Sequence, residues 1–77
     1  MTATHKIETI LFNEDFIILT IDGKELTIAL DKLSARLKSA TTLEREMYKV
    51  SPSGYGIHWP LIDEDLSVDG ILRDFSK

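Results

Sequence analysis

The sequence predicts an α+β fold: an antiparallel β-meander of about four to five strands packed with one or two short helices, in one domain over residues 1–77. Three observations carry this reading. Two runs rich in β-branched and aromatic residues, Lys6 to Phe12 and Phe16 to Ile21, are separated by a polar break of hairpin length. Asp22-Gly23 then joins the second run to a third, and between strands this dipeptide is a strong hairpin signal, because a type I′ turn needs positive φ at both positions. Beyond Ala29 the apolar spacing lengthens to three and four, the period of a helix.

In the first run Ile7, Thr9 and Leu11 fall on one face and Ile10 and Phe12 on the other. Asn13, Glu14 and Asp15 form the loop. The second run, FIILTI, is apolar almost throughout, which predicts a central strand buried on both faces. Lys24 to Ala29 alternates, with Leu26 and Ile28 pointing one way. Asp31 is placed to cap a helix running to about Ser39, whose stripe of Leu33, Leu37 and Ala40 would lie on the sheet. Thr41 with Glu44 makes a capping box for a short turn over Leu43 to Glu46. Met47 to Val50 reads as extended and Ser51-Pro52-Ser53-Gly54 as a tight turn. Tyr55 to Trp59 is the returning strand, ended by Pro60, which has no amide to give a ladder. Ser67 caps a terminal helix with Val68, Ile71, Leu72 and Phe75 on its apolar face; Gly70 weakens it by up to about 1 kcal/mol.

Composition narrows the function classes. With 43% apolar and 29% charged residues the chain is globular in type, not disordered. It has no cysteine, which removes disulfides and thiolate metal sites together. A core of this size rarely supplies more than about 3–5 kcal/mol without staples, so a protein partner is expected to stabilise it. The net charge of −4 disfavours direct nucleic-acid binding, which depends on Lys and Arg displacing counterions from phosphates. Lys32, Arg36 and Lys38 read as a solvated helix face. No secretory leader or membrane span is legible, and a cytoplasmic location without membrane association is expected.

The distinctive segment runs from Tyr55 to Gly70. Tyr55, His58 and Trp59 put large rings beside two glycines, and Asp63, Glu64, Asp65 and Asp69 follow closely. A calcium loop counted from Asp63 needs glycine at its sixth position, where Val68 stands. His58 has no recognised metal spacing to these acids, which read instead as helix caps and dipole-compensating charges. Neither His58 nor His5 has a nucleophile motif, and His5 is placed in a mobile terminus. No catalytic residue, metal or other cofactor is expected. Tyr55, Ile57 and Trp59 share one strand face and finish the core, with Trp59 at the strand end also able to anchor a partner; His58 faces the other way. The candidate interaction surface is therefore Tyr55, His58, Trp59, Asp63, Glu64, Asp65 and Asp69.

The stretch Gly56-Ile57-His58-Trp59-Pro60-Leu61-Ile62-Asp63-Glu64-Asp65-Leu66-Ser67, with Asp69 and Ile71-Leu72 after it and the Asp22-Gly23 hairpin and Leu30-Asp31 before it, resembles the domain-of-unknown-function family DUF2442 over essentially the whole chain. Here Asp65-Leu66 falls a residue later than in many members, lengthening the loop after Pro60. The resemblance implies an antiparallel sheet with helices against it in a small bacterial domain. It further implies a second small protein encoded by a neighbouring gene, as toxin to this antitoxin. It assigns no catalytic residues, and it leaves no room before Lys77 for the helix-turn-helix some members add. The expected role is a non-enzymatic protein-interaction domain, antitoxin-like or regulatory, with a basic partner or a second copy of itself. The alternatives are a transcription-regulatory or DNA-associated dimerisation module, and a divalent-metal or small-ligand domain around His58 and Asp63 to Asp69.

Overall fold

The structure is a computed structural model that describes residues 4–76; Met1 to Ala3, part of the expected polar lead-in, and Lys77 lie outside the described residues. Six strands and four short helices follow in the order β1 (Ile7–Phe12), β2 (Phe16–Ile21), β3 (Lys24–Ala29), α1 (Leu30–Leu33), α2 (Ala35–Ser39), α3 (Thr42–Glu46), β4 (Lys49–Val50), β5 (Gly56–Trp59), β6 (Glu64–Ser67) and α4 (Val68–Phe75). The α+β class is as predicted, but the strands form two antiparallel sheets of three, β1-β2-β3 and β4-β5-β6, instead of one meander.

The first sheet is the three-stranded meander read from the sequence. Asp22 and Gly23 both take positive φ, 52° and 82°, as the hairpin dipeptide requires. Glu8 is the departure. The β1–β2 register shifts between Ile7 and Thr9, a bulge that turns Ile7 onto the face of Ile10 and Phe12 instead of the face of Thr9 and Leu11. That inner face buries Ile17, Leu19 and Ile21 of β2 with Leu26 and Ile28 of β3.

Against it pack Leu30, Leu37, Ile57, Trp59, Val68 and Ile71, one residue or two from α1, α2, β5 and α4. All of this cover lies on one side. The expectation that β2 would be buried on both faces is therefore corrected: Phe16 is exposed and Ile18 only half-buried.

The predicted helix over Asp31 to Ser39 is two turns broken at Ser34. Asp31 caps nothing; the cap position is Ala29, and the first amide, Leu30 N–H, donates instead to the Asp15 carbonyl at 2.8 Å. Ser34, extended and buried, accepts from Leu37 N–H and so starts α2. The Thr41/Glu44 capping box and the Ser67 cap form as predicted, the latter accepting from Gly70 N–H at 3.1 Å.

Candidate functional site

The second sheet presents the site. In β5 alternate residues Ile57 and Trp59 go to the core, so His58 points outward. Asp65 lies directly across from it on β6 and Lys49 directly across on β4, giving a row of cation, imidazole and carboxylate. The His58 Nδ1 and Asp65 Oδ1 atoms are 2.7 Å apart. The turn before β5 closes on Ser51, whose hydroxyl accepts from Tyr55 N–H at 3.0 Å and Gly56 N–H at 3.1 Å. Tyr55 is thereby held just before the strand with its side chain outward, and its carbonyl accepts from Val68 N–H. Lys49, Val50, Pro52, Tyr55, His58, Asp65 and Ser67 are among the residues that line an open groove of about 660 Å³. Most of the surface lining it is apolar.

Three of the seven candidate residues, Tyr55, His58 and Asp65, meet in this groove. Tyr55 was expected to share the core face with Ile57 and Trp59; it is 56% exposed, because the strand begins only at Gly56. Trp59 is fully buried, so it offers no surface to a partner. Its ring packs against Phe12 and Tyr48, and its Nε1–H donates to the Arg45 carbonyl at 2.9 Å.

None of the four acids is a side-chain cap; Asp69, in the first turn of α4, does stand where a dipole-compensating charge is expected, and Glu64, Asp65 and Asp69 form cross-links. Glu64 and Asp65 belong to a strand, β6, that their low β propensity concealed. Glu64 faces inward and accepts from the Ser34 hydroxyl. Asp63 sits in the turn before β6 at φ 53°, and its carbonyl accepts from Arg36 Nη1 at 2.5 Å. Asp69 stands 2.6 Å from His5 Nε2. The carboxylates of Glu64, Asp65 and Asp69 point to three different partners, Ser34, His58 and His5, and do not converge, and no group of three His, Asp or Glu among the described residues is placed to hold a metal ion.

Three features escaped the sequence reading. His5, placed in a mobile terminus, is held between Asp22 at 2.7 Å on Nδ1 and Asp69 at 2.6 Å on Nε2. An imidazole can donate from both nitrogens only when protonated. The bond to Asp22 first, and that to Asp69 second, raise its pKa against a smaller opposing effect of desolvation. Asp22 is lowered in turn, first by His5 and then by the Lys6 amide. Arg45 is the second. Its guanidinium donates to the carbonyls of Leu37, Lys38, Asn13 and Glu14 and lies 5.5 Å from the Phe12 ring centroid. Gly54 is the third, and the His5 backbone lies directly against it.

Two small antiparallel sheets and four short helices make a compact α+β domain, with an open, mostly apolar groove at the second sheet. The family model described as "Protein of unknown function (DUF2442)" matches residues 7–76, and the chain belongs to that family. A crystal structure of a protein of unknown function from Rhodospirillum rubrum ATCC 11170 superimposes with a TM-score of 0.70 at 20% identity, covering 92% of this chain and 88% of that one. At that identity it shows a shared fold. No curated protein matches the sequence. Among the described residues no helix is long and apolar enough to cross a membrane.

Proposed function

We propose that this domain is a non-enzymatic protein-interaction module, the antitoxin-like or regulatory partner of a second small protein, and that it receives that protein in the groove of the second sheet. The observation that carries the proposal is the groove itself: a mostly apolar lining that includes the exposed Tyr55 and the His58–Asp65 pair. Tyrosine combines a large contact area with little conformational entropy to lose, which is why it recurs at interface hot spots. The imidazole–carboxylate pair adds hydrogen-bonding capacity of fixed orientation. An excess of acids, 13 against 9 Lys and Arg, suits a basic partner, since complementary potentials speed encounter and suppress wrong pairings.

The two serines that line the groove with His58 do not favour a hydrolytic reading. The Ser51 hydroxyl accepts from two amides and the Ser67 hydroxyl caps α4. Lys49 is the groove's one lysine or arginine, too little for phosphate-driven nucleic-acid binding.

Co-expression with the product of the neighbouring gene tests the proposal. The two proteins are expected to purify together through a tag on either one. Tyr55→Ala and His58→Ala are each expected to weaken the complex at least about tenfold while leaving the circular dichroism spectrum unchanged. Separate elution of the two wild-type proteins would defeat it.

A further inference from the structure

His5 stands where three elements meet. Its Nδ1 lies 2.7 Å from Asp22 in the β2–β3 turn and its Nε2 2.6 Å from Asp69 in the first turn of α4. Its backbone reaches the third: the amide donates to the Ser53 carbonyl at 3.0 Å, and its carbonyl lies where a side chain on Gly54 would stand. The His5 side chain is only 11% exposed, so water has little access to replace either carboxylate.

Two of these elements also build the groove of the second sheet. The 51–54 turn, closed by the bond from Gly54 N–H to the Ser51 carbonyl at 2.9 Å, carries Ser51 and Pro52 of the lining. The Ser51 hydroxyl in turn holds the Tyr55 and Gly56 amides. On the other side Asp69 follows Ser67, a lining residue and the cap of α4, by two positions.

We propose that His5 is a proton-operated latch that sets the shape of this groove, clamping the 51–54 turn and the start of α4 to the first-sheet hairpin when doubly protonated and releasing one carboxylate when neutral. A neutral imidazole has one N–H and one lone pair, so at these distances the carboxylate facing the lone pair is repelled. With one side open, the segment around His5 presses less firmly on the turn, and Ser53 and Gly54 relax with it. The other charged groups nearby are engaged elsewhere. Glu8 of β1 accepts from the Gly23 amide, Lys24 of β3 donates to the Ser76 hydroxyl, and Arg73 of α4 pairs with Asp74 at 3.5 Å. Lys6 adjoins His5 in sequence, and the 51–54 turn has no titratable side chain. Asp22 and Asp69 are accordingly the charged groups that raise the His5 pKa above 6.5. The latch is closed below about pH 6.5 and opens as pH rises through the folded value. Closed, it holds the groove preformed, so that a partner has less to order on binding.

The change of shape is independent of what the groove receives; its effect on binding rests on the function proposed above. Amide NMR of the isolated chain from about pH 5.5 to about pH 8.5, with the His5 ring followed in the same samples, tests the latch. The Gly54, Tyr55 and Gly56 amides are expected to shift with the midpoint of the His5 ring. In His5→Gln that step should vanish, and in His58→Gln, which removes the groove's own histidine, it should persist. Asp69→Asn, changed at a side chain 62% exposed, serves if His5→Gln disturbs folding: the His5 midpoint and the amide step should move together to lower pH. The neighbouring gene's product is expected to bind wild type at least about fivefold more weakly at the upper end of this range than at the lower, and His5→Gln with little change. Amides that stay fixed through the His5 midpoint, or that move as much in His5→Gln, would overturn the latch. So would a partner that binds wild type equally well at both ends. A partner that binds at neither would defeat the function proposed for the groove, and the amide step would still uphold the latch.

Discussion

Alanine in place of Gly54 or of Gly23 makes two backbones adopt the same disfavoured conformation in different surroundings. Gly23 has φ +82° and nothing within 4 Å of where a Cβ would be, so Gly23→Ala meets only left-handed strain, about 1–2 kcal/mol. Gly54 has φ +72° and carries the same strain, but its added Cβ would stand 1.8 Å from the His5 carbonyl oxygen. That neighbour is backbone and cannot rotate aside. Relief means moving the segment around His5, which breaks the 3.0 Å bond from His5 N–H to the Ser53 carbonyl, worth about 1 kcal/mol net, and draws the imidazole off its carboxylates. Gly54→Ala should therefore destabilise by about 3 kcal/mol or more, comparable to the whole stability of a domain this size. Urea unfolding followed by fluorescence of the single, buried Trp59 reads both variants. Losses equal within about 0.5 kcal/mol would refute the reasoning, because the His5 contact would then contribute nothing.

Further consequences follow from the same contacts. The His5 pKa is raised above 6.5, so its contribution is complete below about pH 6.5 and is lost as pH rises through the folded value; Asp22, lowered from 3.8, contributes above that pH and loses it as pH falls through its depressed value. Wild type should thus lose stability on passing from pH 6 to the alkaline side while His5→Gln does not, and an NMR titration placing the His5 pKa at or below 6.5 would contradict this. Arg45→Lys keeps the charge but loses the planar fork that reaches four carbonyls, and should cost about 1.5–3 kcal/mol in urea unfolding; a lysine variant as stable as wild type would count against the clamp. Thr41→Ala should cost about 1 kcal/mol through the lost capping box, and an unchanged unfolding midpoint would show that the cap carries no weight.

Local physics made part of this fold legible. The strands of the first sheet are set by period-two patterning and by Asp22-Gly23, and the Thr41/Glu44 and Ser67 caps act within three residues of themselves, so a short window contains each cause. What escaped is non-local. Strand β6 is acidic and holds its place through His58 and Ser34, neither of which a local window connects to Glu64 or Asp65. The break at Ser34 depends on that same Glu64, and the idle Asp31 on an amide already satisfied from the β1–β2 loop. His5 reads as a loose end until Asp22 and Asp69 close on it. The candidate site was half legible: residue type pointed to Tyr55, His58 and Asp65, while strand phase, shifted by a start at Gly56, decided that Tyr55 faces water and Trp59 does not.

The central claim is that the groove of the second sheet is a protein-binding surface, and a titration of the labelled domain with the neighbouring gene's product, followed by amide NMR at about 100 µM, tests it most directly. The account predicts shift changes concentrated at Val50, Tyr55, His58 and Asp65, with the Leu11, Phe16 and Ile18 amides unmoved by the partner. Saturating partner that leaves the β4–β6 amides where they were would contradict it.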